Sequence, residues 1–548
     1  MAFKRKILYV FVLCAVAVCG IEYAHVSSAQ QMVHPASGSF RHNTTRDDVD
    51  EYVTKTRKAS QQINLTQQFK GKFARLDLSG LDLSGANLEN ADLRGVDLSN
   101  TKLNRAKLSG ADLTGADVSG ADLSEAKMAH VVAKQTDFTD AVMLQVILTD
   151  SDLSYAIFNR ADLQESEMQN IKMPYAQFKE ANLATVNLRN VDAQNANLYA
   201  ANLMKATLDG SDFSNAILYG ANFGGASLVD MNGSYAYMEV ADLVRANLSN
   251  ANLFNANLED ANIRQAKLTS TNMNGANAKG ADFQDAVFED TKLEQTDFTN
   301  ARFIRTHFNR VYFMSSLLGE ALISEAVFDE CQFHEVFMNK AMVKKSEFIR
   351  AVMSDSNAQS ARFEDVAMMG IEITDTDFSK SIFKKVRMQY GVFSHVKLVG
   401  ALMYASNLRN ADLTGVDLAN ASLTKSDLED AQIKETEVKN LILIDTQGVG
   451  KRIGALKRFG AIETTKELED LIADGKSLEG INLGYLDLTQ ANLAGAKLAH
   501  ANLEGANLSG ADLSRANLAG AHLKQANTSG TNMEQVVREE AVDDKPAE

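Results

Sequence analysis

The chain has 548 residues, of which 45% are hydrophobic and 23% charged, and its formal net charge is −16 at pH 7. It contains three cysteines, and two of them, Cys14 and Cys19, lie in an amino-terminal segment that we expect to be removed. Cys331 would then be the single cysteine of the mature chain, so an intramolecular disulfide is excluded. A small domain held together by disulfide bonds is therefore not the fold. The sequence around Cys331 repeats every five residues, and Cys331 lies at the small, inward position of that repeat, which predicts a buried thiol.

Residues 1–29 are predicted to be an export signal. The segment has basic residues at 4–6, an apolar run over 7–21 and small residues up to Ala29. The apolar run is shorter than the roughly 20 residues that a membrane-spanning helix needs. We therefore expect cleavage near Ala29, export to the periplasm or the exterior, and no membrane span in the mature chain. The alternative is an uncleaved membrane anchor through residues 7–21.

Residues 30–75 are predicted to be a flexible lead-in followed by a capping helix. Thr45 is a candidate N-cap, and acidic residues follow it in the first turn. Val49, Tyr52 and Val53 have the i, i+3, i+4 spacing of an apolar helix stripe. Such a helix would cover the end of the repeats that follow, where strand edges would otherwise be exposed.

From residue 76 to residue 445 the sequence repeats every five residues without a slip, which gives 74 pentapeptides. The first position is small, the second is mostly Asp or Asn, and the third is large and apolar. A period of five is neither the 3.6 of an amphipathic helix nor the 2 of a half-buried strand. It indicates a chain that turns a corner every five residues and sends one large and one small side chain inward.

These residues resemble the pentapeptide-repeat proteins, whose motif is A(D/N)LXX. The resemblance covers residues 76–445 and 476–535. It implies an all-β fold, a right-handed quadrilateral β-helix with four pentapeptides per coil, so that every fourth pentapeptide would stack on the one before. Phe138, Phe158 and Phe178 have this spacing at third positions and agree with the implied coil.

Columns of charged residues agree with the same coil. Asp285, Arg305, Glu325 and Lys345 follow one another at intervals of four pentapeptides and alternate in sign. Adjacent coils would be about 4.8 Å apart, so each charge would lie beside opposite charges. We interpret these columns as structural, because an exposed ion pair contributes only about 0–1 kcal/mol.

The outer positions become bulkier between residues 283 and 393, where the core also shifts from Leu toward Phe and Met. Five large side chains occupy outward positions in or near this stretch: Tyr312, Phe337, Met342, Met369 and Tyr390. Outward apolar groups clustered on one stretch predict a partner-contact surface. The alternative is decay of the repeat, in which larger outer groups only pack along their own columns.

The period breaks over residues 446–475, which we predict to be a Gly-rich basic linker followed by a short capping helix. Thr464 and Glu467 have capping-box spacing at the start of this helix. The linker carries four further candidate contact residues: Lys451, Arg452, Lys457 and Arg458. These basic pairs would suit nucleic acid or anionic lipid, but four charges in a Gly-rich segment are weak evidence.

The repeat resumes over residues 476–535, which we predict to be a second, three-coil β-helix. Its orientation relative to the first, coaxial or angled, stays open at this point. A long loop extruded from one continuous rod is the alternative. The acidic tail, 536–548, is predicted to be disordered.

No catalytic constellation is recognised, because the histidines are scattered and neither a phosphate loop nor a zinc spacing occurs. We therefore expect no enzyme activity and no cofactor. The interpretation is an exported scaffold or interaction rod that binds an unknown protein or envelope partner, with homo-oligomers through the solenoid ends as a further option.

Two alternatives to this function remain. The resemblance implies a DNA mimic that binds a type II topoisomerase, as some family members do, but an export signal points away from the cytoplasm. The other is a secreted effector directed at a host. A nucleic-acid partner is not favoured.

Overall fold

The structure is a computed structural model that describes residues 44–538. From Arg46 onward the described residues belong to one compact unit. The predicted export signal over residues 1–29, most of the lead-in and the last ten residues lie outside the described residues. The expectations for those segments stay predictions.

The described residues contain four α-helices and one 3-10 turn. They are α1, Arg46–Lys58; α2, Leu65–Phe69; the 3-10 turn Gly450–Arg452; α3, Ile453–Arg458; and α4, Thr465–Ala473. Helix α1 packs onto the first coil, because Val49 and Val53 join the main hydrophobic core. Arg46 of this helix also pairs with Asp77 at 2.9 Å. These contacts cover the first coil, whose backbone edge would otherwise be unpaired.

The described residues contain seventeen strands, β1–β17, each three residues long. In chain order they are Lys267–Thr269, Val287–Glu289, Lys292–Glu294, Arg302–Ile304, His307–Asn309, Tyr312–Met314, Leu322–Ser324, Val327–Asp329, Gln332–His334, Met342–Lys344, Glu347–Ile349, Val352–Ser354, Arg362–Glu364, Glu372–Thr374, Ile382–Lys384, Val392–Ser394 and Leu402–Tyr404. They form three parallel sheets of five, six and six strands.

Each strand pairs with the strands one coil away, and the register joins residues that are four pentapeptides apart. Phe308 faces Phe328 in this way. Single bridges with the same offset occur on both sides of the strands, from Asp77–Asp97 in the first coils to Asn517–Val537 near the last described residue. Four pentapeptides therefore make one coil, and the predicted quadrilateral β-helix is confirmed as a parallel β-solenoid.

Positions within the pentapeptide have distinct structural roles. First and third side chains point inward, and Ala86 and Leu83 are fully buried. The second residue closes the turn: Oδ1 of Asp77 accepts a hydrogen bond from the N–H of Ser79 at 3.0 Å. The fifth residue takes a left-handed backbone conformation, with a φ of 56° at Asn90. The repeat is thus a chain of tight corners with an apolar interior.

The core is built from stacked columns of identical side chains. Phe138, Phe158 and Phe178 stack with ring centroids 4.6 Å apart. Phe308 and Phe328 stack at the same separation, with their ring planes 1° apart. The predicted phenylalanine columns are therefore inside the solenoid, where each ring packs on the next coil.

The segment after residue 445 closes the end of the main solenoid instead of forming an extended linker. Ile462 bridges Ile442, which continues the register of the coils before it. Helix α3 buries Leu456 in the main core. The Arg452 guanidinium donates hydrogen bonds to backbone oxygens, including Leu428 O at 3.1 Å. The prediction of a Gly-rich linker is corrected for residues 446–462, because apolar contacts and hydrogen bonds fix them to the array.

Helix α4 caps the second solenoid. Thr464 accepts a hydrogen bond from the N–H of Glu467, whose carboxylate accepts one from the N–H of Thr464. Leu468 and Ile472 are buried in the core of the second solenoid. Ile442 of the main solenoid belongs to the same core cluster, so this core continues onto the outside of the longer array.

The second solenoid lies against the flank of the first. Asn482 donates its backbone N–H to Asn420 O at 3.0 Å and its Nδ2 to Gly400 O at 2.9 Å. One coil later, Glu504 forms an ion pair with Arg362. As residue numbers rise in the second solenoid, the numbers of the residues that they contact in the main solenoid fall. The two solenoids therefore run antiparallel at this contact. This side-by-side packing differs from both a coaxial and an angled end-to-end arrangement.

Candidate protein-interaction surfaces

The main solenoid has four faces, which we number by the second-position column each contains: face 1 contains Asp77, face 2 Asp82, face 3 Asn87 and face 4 Asp92. The five outward residues predicted as one contact surface are distributed over all of them. Tyr312 lies on face 4, Phe337 on face 1, Met342 on face 2, and Met369 and Tyr390 on face 3. The structure does not bring these five residues together, so each has to be considered with its own neighbours.

Face 4 carries a shallow depression around Tyr312. Its lining residues are Tyr312, Phe313, Met314, Gln332, Phe333, His334, Val352 and Ser354. The side chains of Tyr312, Met314 and Val352 are exposed. Gln332 bridges the strands of Tyr312 and Val352, which places the two apolar groups two coils apart in one column. The depression therefore has apolar walls on an otherwise solvated face.

A column of three acids runs beside this depression. Glu335, Asp355 and Asp375 occupy fifth positions in successive coils, about 4.8 Å apart. Among the described residues, their ion-pair partners are histidines: His334 lies 3.2 Å from Asp355, and His395 lies 3.7 Å from Asp375. A histidine carries a positive charge only when protonated. The column therefore carries three successive carboxyl groups with no lysine or arginine between them.

On faces 2 and 3, the fifth-position columns beginning at Asp285 and Asp290 alternate in sign. Arg305 pairs with Asp285 at 2.7 Å, and Arg310 pairs with Asp290 at 2.6 Å. Hydrogen bonds from the Arg305 guanidinium lower the pKa of Asp285 from its ordinary range. These neighbours lie in adjacent coils as the sequence predicts, and they contrast with the like-charged column on face 4.

The basic residues of the 446–475 segment serve largely internal contacts. Arg452 holds backbone oxygens at the end of the array. Lys457 pairs with Glu463 at 2.6 Å and with Glu467 at 2.8 Å, and these hydrogen bonds raise the pKa of Lys457. Arg458 is exposed on α3, and Lys451 lies in the 3-10 turn before it. Two of the four side chains are thus engaged within the chain, which argues against a free basic cluster.

Face 1 and its corner with face 4 carry a second apolar surface, which we call the aromatic patch. Its residues are Tyr199, Ile217, Tyr219, Tyr235, Tyr237 and Phe254, each between 37% and 49% exposed. The rings of Tyr199 and Tyr219 stack at 5.5 Å. The repeat pattern did not predict this patch, because the core beneath it stays close to consensus. Two outward tyrosines spaced by one coil were the available signal.

Face 2 carries outward apolar residues that are already covered. Leu402 and Ile442 are fully buried, and Ile382 is 8% exposed. The second solenoid covers this face: a Cβ at Gly484 would lie only 2.9 Å from Cδ2 of Leu402. Some outward apolar side chains of the main solenoid are therefore exposed to solvent, and others are buried under the second solenoid.

Groups with catalytic potential are few on these surfaces. Among residues 44–538, no group of three or more His, Cys, Asp and Glu residues could hold a metal ion. Burial raises the pKa of Cys331 to about 12, which keeps its thiol protonated, and the predicted buried position is confirmed. No helix within that same range is long and apolar enough to span a bilayer.

Two family models match the sequence. One, described as pentapeptide repeats (8 copies), matches residues 72–110, 106–143, 211–250, 246–285, 281–319, 401–437 and 477–515. The other, described as a pentapeptide repeat region, matches residues 141–216. A comparison with curated proteins finds no significant match.

Several solved structures are similar to the chain. HetL, a pentapeptide repeat protein involved in heterocyst differentiation regulation from the cyanobacterium Nostoc sp. strain PCC 7120, is 26% identical; the match covers 45% of this chain and 94% of HetL, with a TM-score of 0.21. QnrB1, a plasmid-mediated fluoroquinolone resistance protein, is 17% identical, with coverages of 38% and 92% and a TM-score of 0.22. A pentapeptide repeat protein from the Arabidopsis thaliana thylakoid lumen is 25% identical, with coverages of 28% and 68% and a TM-score of 0.10.

Proposed function

This chain belongs to the pentapeptide-repeat proteins, and on that basis we propose that it is an exported, non-enzymatic scaffold that binds a protein partner along face 4 of its main solenoid. The observation that carries the proposal is the pairing of an apolar depression with an acidic column on one face. Tyr312 and Val352 supply the apolar walls. Glu335, Asp355 and Asp375 supply the negative charge.

The acidic column supports a binding role because it is locally unfavourable. Like charges directly opposite each other on adjacent strands destabilise a sheet. The solenoid avoids this arrangement in the columns that contain Asp285–Arg305 and Asp290–Arg310. The three acids of face 4 have no lysine or arginine between them in their column, and a local rule broken in this way is typical of a functional site.

The side chains around Tyr312 indicate which residue types a partner segment would need. A segment that places one apolar side chain between Tyr312 and Val352 would bury exposed apolar area. A lysine or arginine next to that side chain would lie beside Glu335 and Asp355 and offset their repulsion. The proposed partner is therefore a protein segment that combines apolar and basic residues.

The geometry of His334 supports a binding role over a hydrolytic one. Ser354 Oγ lies 2.9 Å from His334 Nδ1, and Asp355 Oδ2 lies 3.2 Å from the same nitrogen. A nucleophilic serine and an orienting acid need opposite nitrogens of the imidazole. Asp355 is therefore on the same nitrogen as the serine, and the acid on the opposite side, Glu335, lies 3.9 Å from Nε2, beyond hydrogen-bond distance. No acid holds the imidazole in the orientation that proton transfer from Ser354 would need.

The proposal of export rests on residues 1–29, whose basic start, apolar run and small residues fit a cleaved signal. A single cysteine after residue 29 is compatible with an oxidising compartment, because no wrong disulfide can form within the chain.

DNA mimicry, the second candidate, has support only from short acidic columns, one of them on face 1. Asp77, Asp97, Asp117 and Asp137 follow one another on face 1, and the column then reaches Ile157. A duplex mimic would need negative charge along a longer part of the rod. Face 1 instead continues into the aromatic patch, so protein binding is the better supported function.

The proposal is tested by site-specific photo-crosslinking in the native organism, with a photoreactive phenylalanine in place of Tyr312. Val132 is a matched control, because it occupies the same column of face 4 in a distant, exposed coil. We expect a defined protein adduct at position 312, none at position 132, and loss of the adduct in an Asp355→Lys background. Fractionation and amino-terminal sequencing test export. Equal adducts at both positions, or a cytoplasmic protein that retains residues 1–29, would contradict the proposal.

A further inference from the structure

The aromatic patch on face 1 lies between charges of opposite sign. In the column of fourth positions, Lys179 precedes Tyr199 and Tyr219, and Glu239 follows them. The Lys179 amine lies 5.5 Å from the centre of the Tyr199 ring. Bridges between the second positions of these coils confirm that the column runs through consecutive coils. One face therefore reads basic, aromatic, aromatic, acidic along the solenoid axis.

The neighbouring column of fifth positions also has a basic residue before the midpoint and an acidic residue after it. In the column of fifth positions, Arg160 precedes Ala200 and Gly220, and Asp260 follows them at an equal distance along the chain. The centre of this column therefore carries only small residues. At the corner with face 4, Tyr175 and Tyr235 lie on either side of the same midpoint, and both are exposed.

We propose that a second copy of this chain docks on the aromatic patch, with the two main solenoids side by side and antiparallel. A two-fold axis between the coils of Tyr199 and Tyr219 would place each column opposite itself in reverse order. A contact of this kind uses the same surface on both copies, so residue i faces j and j faces i. The opposed pairs are Lys179 with Glu239, Arg160 with Asp260, Tyr175 with Tyr235, and Tyr199 with Tyr219.

The charge pattern favours a second copy over an unrelated protein. Both basic groups of the opposed pairs have an acidic counterpart at the same number of coils beyond the midpoint, so reversal of the direction brings each one opposite an acid. Two acids of the column of fifth positions are exceptions. Glu180 would face the apolar Val240 and lies 3.8 Å from Lys179 of its own copy. Asp140 would face Gly280 and pairs with Arg160 of its own copy at 2.7 Å. The flat central strip at Ala200 and Gly220 would let the two tyrosine stacks approach without a clash. Aromatic side chains surrounded by charges are the usual composition of a protein interface.

The inference does not depend on the proposed partner of face 4, because it concerns different columns and different residues. Face 4 at Tyr312 would stay accessible in the dimer, since the two-fold contact is centred five coils away in the chain. The dimer would present two copies of the face 4 site on the same side of the assembly, with their chain directions opposed.

Sedimentation equilibrium of the full chain over a range of concentrations tests the dimer. Lys179→Glu and Glu239→Lys should each raise the dissociation constant about tenfold or more, because each places like charges opposite one another. The double variant should recover dimerisation, because the pair is then reversed in both copies. Lys340→Glu is the matched control: it breaks an exposed pair with Glu320 on face 1, outside the proposed contact.

Cysteine cross-linking tests the register. A mixture of chains with Tyr199→Cys and chains with Tyr219→Cys should form disulfide dimers faster than either variant alone. The native Cys331 is buried and does not interfere. A monomer at every concentration, a double charge variant no better than the single variants, or equal cross-linking rates in all three samples would overturn the inference.

Discussion

Arg362 on face 2 of the main solenoid and Glu504 of the second solenoid form an ion pair between two distant parts of the sequence. The Glu504 side chain is 9% exposed. A buried carboxylate without its partner is strongly destabilising, whereas an exposed pair contributes little. This contact therefore fixes the second coil of the second solenoid against the flank of the main solenoid.

Loss of this pair should weaken the docking of the second solenoid. Arg362→Met leaves Glu504 buried without its cation and should cost about 1–3 kcal/mol, below the full penalty of a buried pair because Arg362 is partly exposed. Hydrogen exchange of residues 476–538 measures the effect. Arg310→Met is the control, because it removes an exposed pair with Asp290 within one solenoid. Equal destabilisation by the two substitutions would show that the Arg362–Glu504 pair does not hold the second solenoid against the main solenoid.

Truncation of a stacked ring should melt a local segment. Phe328→Ala removes a ring that stacks on Phe308 at 4.6 Å and on Phe348 at 4.7 Å. The cavity should cost about 3–5 kcal/mol. Because solenoid coils contact only their neighbours, faster hydrogen exchange should be confined to nearby coils. Tyr312→Ala, an outward substitution in the same region, should leave exchange unchanged. A global loss of protection in Phe328→Ala would argue against local melting.

Acidification should weaken the coil that contains Asp285. Arg305 lowers the pKa of Asp285 below its ordinary value of 3.8. A carboxylate whose pKa is lower in the folded state stabilises the fold above its unfolded pKa, and that contribution is lost as the pH falls through the folded pKa. Urea denaturation below pH 4 measures this loss. Arg305→Gln should reduce the pH dependence, and an unchanged dependence would mean that the pair does not contribute.

The end of the main solenoid should open when Gly448 is replaced. A Cβ at Gly448 would lie 2.2 Å from the backbone nitrogen of Glu429, and its φ is +78°. Gly448→Ala should therefore expose Lys457 and neighbouring basic residues to trypsin. Gly450→Ala is the control, because its φ is also positive but no atom lies within 4 Å of the added Cβ. Wild-type chain that is cut at Lys457 as fast as the Gly448 variant would contradict the packed arrangement.

The solenoid could be predicted from the sequence because its cause is local and repeated. Each third-position residue, such as Phe308, is buried by the same corner geometry, and a period of five states that geometry directly. The antiparallel packing of the second solenoid against the main solenoid could not be predicted in this way. Leu402 and Tyr312 both look like outward apolar residues in the repeat, yet one is buried and the other exposed. Their difference depends on where residues 476–538 pack, which no periodicity records.

The candidate site was predictable only in part for the same reason. Its size at an outward position predicts Tyr312 as a contact residue, and the structure places Tyr312 in a depression. The same criterion selects Phe337 and Met342, which lie on other faces. The face on which a residue lies follows from its position within the coil. The neighbours that give it a role follow from the chemistry of adjacent columns, as for the acids beside Tyr312.

The four-pentapeptide register also sets the rules for insertions and deletions in this protein. Deletion of one pentapeptide upstream would keep the core but turn every later residue by one face, so that Tyr312 would move from face 4 to face 3. Deletion of four pentapeptides would shorten the rod by one coil and return each later residue to its own face. Changes in length that preserve the surfaces are therefore quantised in whole coils, and smaller changes would scramble every binding column while leaving a stable solenoid.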